Sequence, residues 1–393
     1  MKILVISHMF PNEKDHITGI FVKEPVKELI NKGHEVTVIA PVPYAPNIGK
    51  WKKYNLPLET TLEGIKVYYP RYLFLPKGKL LHLSGFFMYL GIKKLVFSLN
   101  AKYNFDLIHS HTILPDTACA LLLNKKLKKT VISTIHGTDL QQSINKNKKC
   151  RDTIIKTINN CDKTILVSSK LKKILQNIPE IDINKLEVIH NGINLDKFKV
   201  EVEETLIDKY KDKKIIISIA NLVKIKGHEY VLKALSEIIK DYNDIMYLII
   251  GNGEMLESLK NLVKELHLDN YVQFLGQMKN NLALQYLQLA KIFVLPSYNE
   301  AFGVAYIEAM AYAIPIIACE GQGMSDVITH GVNGYLVKEK NSPEITTILK
   351  DLLSDENKRV VVGSMAQKLV LENYSWTKKV DEYIDVYNTV LKR

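Results

Sequence analysis

The stretch IFVLPSYNEAFGVAYIEAMAYAIPIIA, Ile292–Ala318, begins and ends on short branched apolar runs with a helical run between them. Ile292–Leu295 and Ile316–Ala318 read as strands buried on both faces, because each is apolar throughout and too short for a buried helix. The intervening helix is expected to begin near Ala301 or Phe302. Strand, helix and strand in that order form a crossover unit whose two strands run parallel.

The same grammar extends outward in both directions. Upstream in the second half, Ile215–Ile219, Ile245–Ile250 and Val272–Leu275 read as strands. In the first half the strand candidates are Ile3–Ser7, Glu35–Ala40, Ile65–Tyr69, Leu107–His109, Thr130–Ile135, Thr164–Val167 and Leu186–Ile189. Helical runs separate them. In FVKEPVKELINKG the apolar face is Phe21, Val22, Val26, Leu29 and Ile30, and Gly33 ends it. The charged run KVEVEETLIDKYKDKK, Lys199–Lys214, divides the halves. The predicted fold is α/β, with two doubly wound Rossmann-like domains over residues 1–200 and 201–375. Ligands in such sheets bind beyond the carboxyl ends of the strands, so the two domains are expected to present those ends to each other across a cleft. A last helical pattern, Trp376, Val380, Tyr383, Ile384, Tyr387 and Leu391, either closes the second domain or crosses back to complete the first over residues 376–393.

Bulk properties narrow the function. The chain has 393 residues, 47% hydrophobic and 24% charged, which suits a soluble two-domain protein. No apolar stretch reaches the roughly 18 residues of a membrane span. MKILVISHMF has one lysine and a short branched run, so it reads as a buried first strand rather than a signal peptide. Cys119, Cys150, Cys161 and Cys319 are scattered without a CxxC pair, which argues against a disulfide framework or zinc site and suits a cytoplasmic protein. A net charge of +11 points to anionic partners. No nucleic-acid-reading signature accompanies the lysines, so nucleic acid is not expected. The segment Pro76–Phe105 mixes lysines with Phe, Leu and Tyr; it suits a helix on an anionic membrane surface, and equally a core helix with a solvated lysine edge.

Two acids, Glu300 and Glu308, stand in the otherwise apolar run that follows strand Ile292–Leu295. Glu300 falls in the loop before the helix, and Glu308 about two turns into it. The amides of Phe302, Gly303 and Val304 lie at the helix N-terminus, where the dipole favours an anion and Gly303 admits close approach. A sugar nucleotide fits all three features: its diphosphate on the helix, ribose hydroxyls at Glu308, the sugar at Glu300. GNGEMLE resembles half a dinucleotide fingerprint, but Leu256 occupies the third glycine position, which argues against NAD. No Asp-x-Asp triplet occurs, so no metal and no other cofactor is expected.

Read with its other motifs, the chain resembles the retaining glycosyltransferases of family 4. The motifs are the Glu-x7-Glu pair, GIFVKE (19–24), TIHGTD (134–139), VIHNGINLDKF (188–198), NLVKIKGHEYVLKAL (221–235), LIIGNGEMLESLK (248–260) and GVNGYLV (331–337). The resemblance covers nearly the whole chain and implies the two-domain GT-B architecture, with the acceptor in the first domain and the nucleotide sugar in the second. It implies that Lys226 pairs with the donor's phosphates, that His136 reaches the donor sugar, and that the Gly19 loop approaches the diphosphate. His109 and His111 compete for the histidine role, but only His136 fits the matched position. Asn221 stands where the family usually has an arginine, and Ser325–Asp326 where it has Pro-Glu. Leu275–Gly276 marks the segment expected to hold the base.

The implied function moves a sugar, with retention, from a nucleoside-diphosphate donor, UDP favoured, to a hydroxyl of a lipid-linked or saccharide acceptor. SHMFPNEKDHITGIFVKEPVKEL (7–29) is similar to members that build bacterial surface polysaccharides, implying work at the inner face of the cytoplasmic membrane. The leaving diphosphate is expected to take the acceptor proton, since no base stands out. The alternatives are a sugar-nucleotide epimerase or hydrolase on the same architecture, and a non-catalytic sugar-nucleotide-binding subunit.

Overall fold

The computed structural model describes residues 1–16, 18–45, 49, 54–75 and 78–392. It divides the chain into two units: Met1–Gly192 with Trp376–Arg393, and Ile193–Ser375.

Sixteen strands occur among the described residues. They are β1 (Lys2–Ile6), β2 (Glu35–Ile39), β3 (Val42–Pro43), β4 (Glu59–Leu62), β5 (Ile65–Tyr68), β6 (Arg71–Tyr72), β7 (Leu107–His111), β8 (Thr130–Ile135), β9 (Lys163–Leu166), β10 (Leu186–Val188), β11 (Lys214–Ile219), β12 (Ile245–Ile250), β13 (Val272–Gly276), β14 (Ala290–Leu295), β15 (Ile316–Cys319) and β16 (Tyr335–Val337). The first unit holds an eight-stranded sheet in the order β10-β9-β8-β7-β1-β2-β5-β4. Every neighbouring pair in it is parallel except β4 with β5. The second holds a parallel six-stranded sheet, β13-β12-β11-β14-β15-β16.

Alternation along β1 shows why these strands are apolar throughout. Ile3 and Val5 pack with Val22, Val26, Tyr383 and Tyr387 on one face. Leu4 and Ile6 pack with Met88, Ile92, Val96 and Leu123 on the other. Successive side chains of a strand point to opposite faces, so a sheet covered on both sides needs apolar residues at every position.

The helix Trp376–Leu391 belongs to the first unit, where Val380, Tyr383, Tyr387 and Val390 join the core. Of the two placements open in the sequence, this is the crossing back. The boundary falls at Gly192 rather than near residue 200. The charged run Lys199–Lys214 lies inside the second unit and contains a helix, Glu204–Tyr210, anchored where the Tyr210 hydroxyl donates to Gln273 Oε1 at 2.7 Å.

The helix Ser84–Tyr103 buries Met88, Ile92, Val96 and Leu99, so it is a core helix on one face. Phe86, Leu90 and Lys94, spaced four apart, are exposed on it. Pro76 and Lys77, at the start of the expected interfacial segment, lie outside the described residues. All four cysteines are buried free thiols. Among the described residues no helix is long and apolar enough to cross a membrane.

Candidate active site

In the second unit the predicted groups gather at the carboxyl ends of β11 and β14. Lys226 closes a short turn, Lys224–Lys226, after β11, and the helix His228–Ile238 follows. Glu300 lies in the loop after β14. Lys226 Nζ and Glu300 Oε2 are 2.5 Å apart, with side chains 19% and 15% exposed. Such a pair is a charge-assisted bond held mostly out of water. The two loops are also tied through the backbone, Tyr298 N donating to the Ile225 carbonyl at 3.0 Å. The Glu300 amide donates to Gln322 Oε1 at 3.0 Å, and Gln322 Nε2 donates to Glu339 Oε1 at 2.9 Å. The lysine and the glutamate therefore meet at the sheet end, each on a braced loop.

The helix after Glu300 starts later than expected. It spans Val304–Ala311, not from Ala301 or Phe302, because Gly303 adopts the left-handed region (φ 90°) and caps it without a side-chain bond. A Cβ on Gly303 would lie 2.5 Å from the Tyr306 ring and 3.2 Å from Glu300 Cγ, so only glycine fits there. Glu308 is then four residues past Val304, about 6 Å along the axis, and not two turns in. Burial pushes its carboxyl up to about 7, against opposing pulls from an Asn280 hydrogen bond and the Lys197 charge. Phe302 is a core side chain, its ring centroid 6.3 Å from that of Tyr374, so any role toward a ligand falls to its amide. Val304 is half-buried at the first helical position.

The remaining donor candidates lie on neighbouring loops of the same sheet. Asn221 is exposed just beyond β11. Leu275 and Gly276 end β13, two strands from β11 in the sheet, and the Gly276 carbonyl accepts from Gly251 N at 2.9 Å. In the loop after β15, Ser325 Oγ is buried without a hydrogen-bond partner and Asp326 is exposed.

The first unit carries a histidine group at the carboxyl ends of β7 and β8. His109 is tied at both ring nitrogens, Nδ1 to the Tyr387 hydroxyl at 2.7 Å and Nε2 to Thr134 Oγ1 at 2.8 Å. His111 Nδ1 bonds His136 Nε2 at 3.0 Å with the rings stacked, and Phe21 covers His136 with centroids 4.3 Å apart. Burial pushes the pKa of His109 and of His136 down to about 3, and that of His111 well below the usual value. All three are neutral near pH 7. His136 Nδ1 is buried with no hydrogen-bond partner. A buried polar atom in that state wants a ligand or an ordered water. Gly19 caps the helix Ile20–Asn31 at φ 76°, and a Cβ there would stand 1.6 Å from the Met9 carbonyl oxygen. The fold itself demands that glycine.

The sequence reading passed over His8 and Asp116. His8 Nδ1 meets Asp116 Oδ2 at 2.8 Å, the His8 amide donates to Oδ1 at 3.1 Å, and Thr112 Oγ1 donates to Oδ2 at 2.8 Å. The signals were a histidine two residues after the first strand and the acid in HSHTILPD.

Two doubly wound units bearing these loops define a GT-B glycosyltransferase. The chain belongs to the group 1 glycosyl transferases: the model "Glycosyl transferases group 1" matches residues 202–369 and "Glycosyltransferase Family 4" matches residues 18–197. It is 27% identical to N-acetyl-alpha-D-glucosaminyl L-malate synthase from Bacillus anthracis, over 95% of this chain and 94% of that one. It is 25% identical to TuaC of Bacillus subtilis, a glycosyltransferase assigned to teichuronic acid biosynthesis, over 100% and 99%. Among solved structures, HepE from Anabaena in complex with UDP superposes with a TM-score of 0.77 at 17% identity, covering 99% of this chain and 100% of that one.

Proposed function

We propose that the chain transfers a sugar, with retention, from a UDP-sugar to a hydroxyl of a lipid-linked or saccharide acceptor in cell-surface polysaccharide synthesis. The observation that carries the donor assignment is the Lys226–Glu300 pair beside the glycine-capped helix N-terminus. A diphosphate at the amides around Gly303 gains the helix dipole and the Lys226 charge, which here take the place of a metal ion. Glu300 then faces the sugar, Glu308 accepts from the ribose hydroxyls, and Asn221 flanks the phosphates. The base lies along Leu275–Gly276. From the first unit, the unpartnered His136 Nδ1 is the group proposed for a sugar hydroxyl, and the Gly19 loop the one proposed for the diphosphate. UDP is favoured because HepE carries it. Malate in one relative's name and teichuronic acid in another's point to hydroxyl acceptors that also bear carboxylates. A cytoplasmic protein touching an anionic membrane through the exposed face of Ser84–Tyr103 completes the reading.

Thermal melting with UDP, GDP and their sugars tests it. UDP at 100 times its dissociation constant stabilises a single-site protein by about 2.7 kcal/mol. The wild type is expected to show that rise with uridine nucleotides, undiminished by EDTA. Lys226→Ala and Glu308→Ala are each expected to lose most of it. A melting curve unmoved by every nucleotide, or moved equally in both variants, removes the donor assignment.

A further inference from the structure

We propose that Glu300 competes with the donor's phosphates for Lys226, so that a diphosphate opens the pair when it binds and the pair, closing again, favours release of UDP. The inference rests on the donor reading above and adds how that site takes up and lets go of its nucleotide.

The pair itself is the first observation. Lys226 Nζ lies 2.5 Å from Glu300 Oε2, and both side chains are held mostly out of water. An ammonium is a compact charge that a carboxylate and a phosphate engage in the same way, through short charge-assisted bonds. Two anions on one ammonium would stand about 5 Å apart, where like charges repel. A diphosphate that takes Lys226 therefore displaces the carboxylate.

The neighbouring side chains do not relieve that contest. Asn221, on the loop just beyond β11, brings no charge. Lys340 Nζ lies over the Tyr298 ring, 5.0 Å from its centroid, and Lys224 is exposed on the Lys226 turn.

The backbone beneath the pair is the second observation. Lys226 N donates to the Val223 carbonyl at 3.0 Å, and a Cβ on Gly227 would stand 2.4 Å from the Pro296 carbonyl oxygen, so the turn is pressed onto the loop after β14. Glu300 N donates to Gln322 Oε1 at 3.0 Å, and its carbonyl accepts from Gly323 N at 3.3 Å. With both backbones pinned, the pair opens by side-chain rotation. Turned away from Lys226, the Glu300 carboxylate accepts from hydroxyls of the donor sugar. Once the sugar has been transferred those hydroxyls are gone, and the carboxylate returns to Lys226. A ligand that binds only the opened pair has its apparent affinity lowered by the fraction of chains in which the pair is open.

Calorimetric titration with UDP and with uridine tests this. Glu300→Gln keeps the length of the side chain and removes its charge. It is expected to bind UDP about tenfold more tightly than the wild type, because opening no longer breaks an ion pair. Uridine, which carries no phosphate, is expected to bind both proteins equally. Stopped-flow displacement should show slower UDP release from Glu300→Gln. Glu300→Asp, with the charge kept and one methylene less reach, is a second variant and should fall between the two. Glu339→Gln removes a carboxylate tied to the same loop through Gln322 and should leave UDP affinity unchanged. Phosphorus NMR titration reads the weak binding left in Lys226→Met, where adding Glu300→Gln should gain nothing.

Equal UDP affinity in Glu300→Gln and the wild type overturns the proposal. So does a gain shared by Glu339→Gln or one that persists on Lys226→Met, since either marks plain repulsion between an acid and the phosphates. If Lys226→Met loses UDP while Glu300→Gln and Glu300→Asp bind it no more tightly than the wild type, the competition falls and the donor reading stands. If the wild type binds no nucleotide, both fall together.

Discussion

A carboxyl raised to about 7 at Glu308 has two consequences of opposite use. Between the ordinary glutamate value of 4.5 and about 7, the folded state holds a proton that the unfolded chain has lost. Stability therefore falls as pH rises through that window. At about 1.4 kcal/mol per pK unit, the loss amounts to at most about 3 kcal/mol. Above the window the ionised carboxylate is the stronger acceptor for ribose hydroxyls. UDP affinity, measured calorimetrically, is expected to rise roughly tenfold from pH 6 to pH 8 in the wild type and to stay flat in Glu308→Gln. The same variant should gain stability relative to wild type over that range; a flat wild-type profile would remove Glu308 from the ribose. Glu300, Gly303 and Glu308 were legible because they lie within nine consecutive residues of one loop and helix. The His8–Asp116 pair was not, because its members stand 108 residues apart and only the adjacency of β1 and β7 brings them together.

At the scale of elements, most strands read from sequence are buried ones, since a continuous branched run has few other uses. The edges escaped. β4 reads ETTL with alternating exposure and lies antiparallel at the margin of its sheet, and β16 is three residues long at the margin of the other. Edge strands are kept short or polar to discourage further pairing, which erases the signal a reader looks for. The helix Ser84–Tyr103 fitted two readings because it serves a core on one face and shows Phe86, Leu90 and Lys94 on the other. Each apolar side chain contributes about 1.5–3 kcal/mol if fully buried, and a lysine near an anionic surface about 1 kcal/mol. Phosphatidylglycerol vesicles are therefore expected to retain the wild type in sedimentation. Phe86→Ser with Leu90→Ser should weaken that binding at least tenfold without lowering the melting temperature of the free protein. Equal sedimentation of the double variant would leave the exposed stripe without a membrane role.

For the whole molecule, the order of the chain matters more than its division into halves. It builds most of the first unit by Gly192, completes the second by Ser375, and only then supplies the helix Trp376–Leu391 to the first. That helix contributes Val380, Tyr383, Tyr387 and Val390 to the core, and the Tyr387 hydroxyl holds His109. Removing one large buried side chain costs about 2–5 kcal/mol, whereas a domain's whole stability is about 5–15 kcal/mol. Losing two tyrosines and two valines together exceeds what the first unit can bear. A fragment of residues 1–192 is therefore expected to lack a cooperative melting transition, and joining residues 376–393 to it through a flexible linker should restore one. Residues 193–375 carry their own closed core around β11, β12 and β14, and should melt cooperatively alone. In the restored fragment Tyr387→Phe removes one hydrogen bond, so it should lower stability by only about 1 kcal/mol. Its effect on transfer in the full chain then reports how far the alignment of His109, and of His111 and His136 stacked beyond it, depends on a helix made last. Cooperative melting of residues 1–192 without the helix would show that the first sheet closes its core by other means.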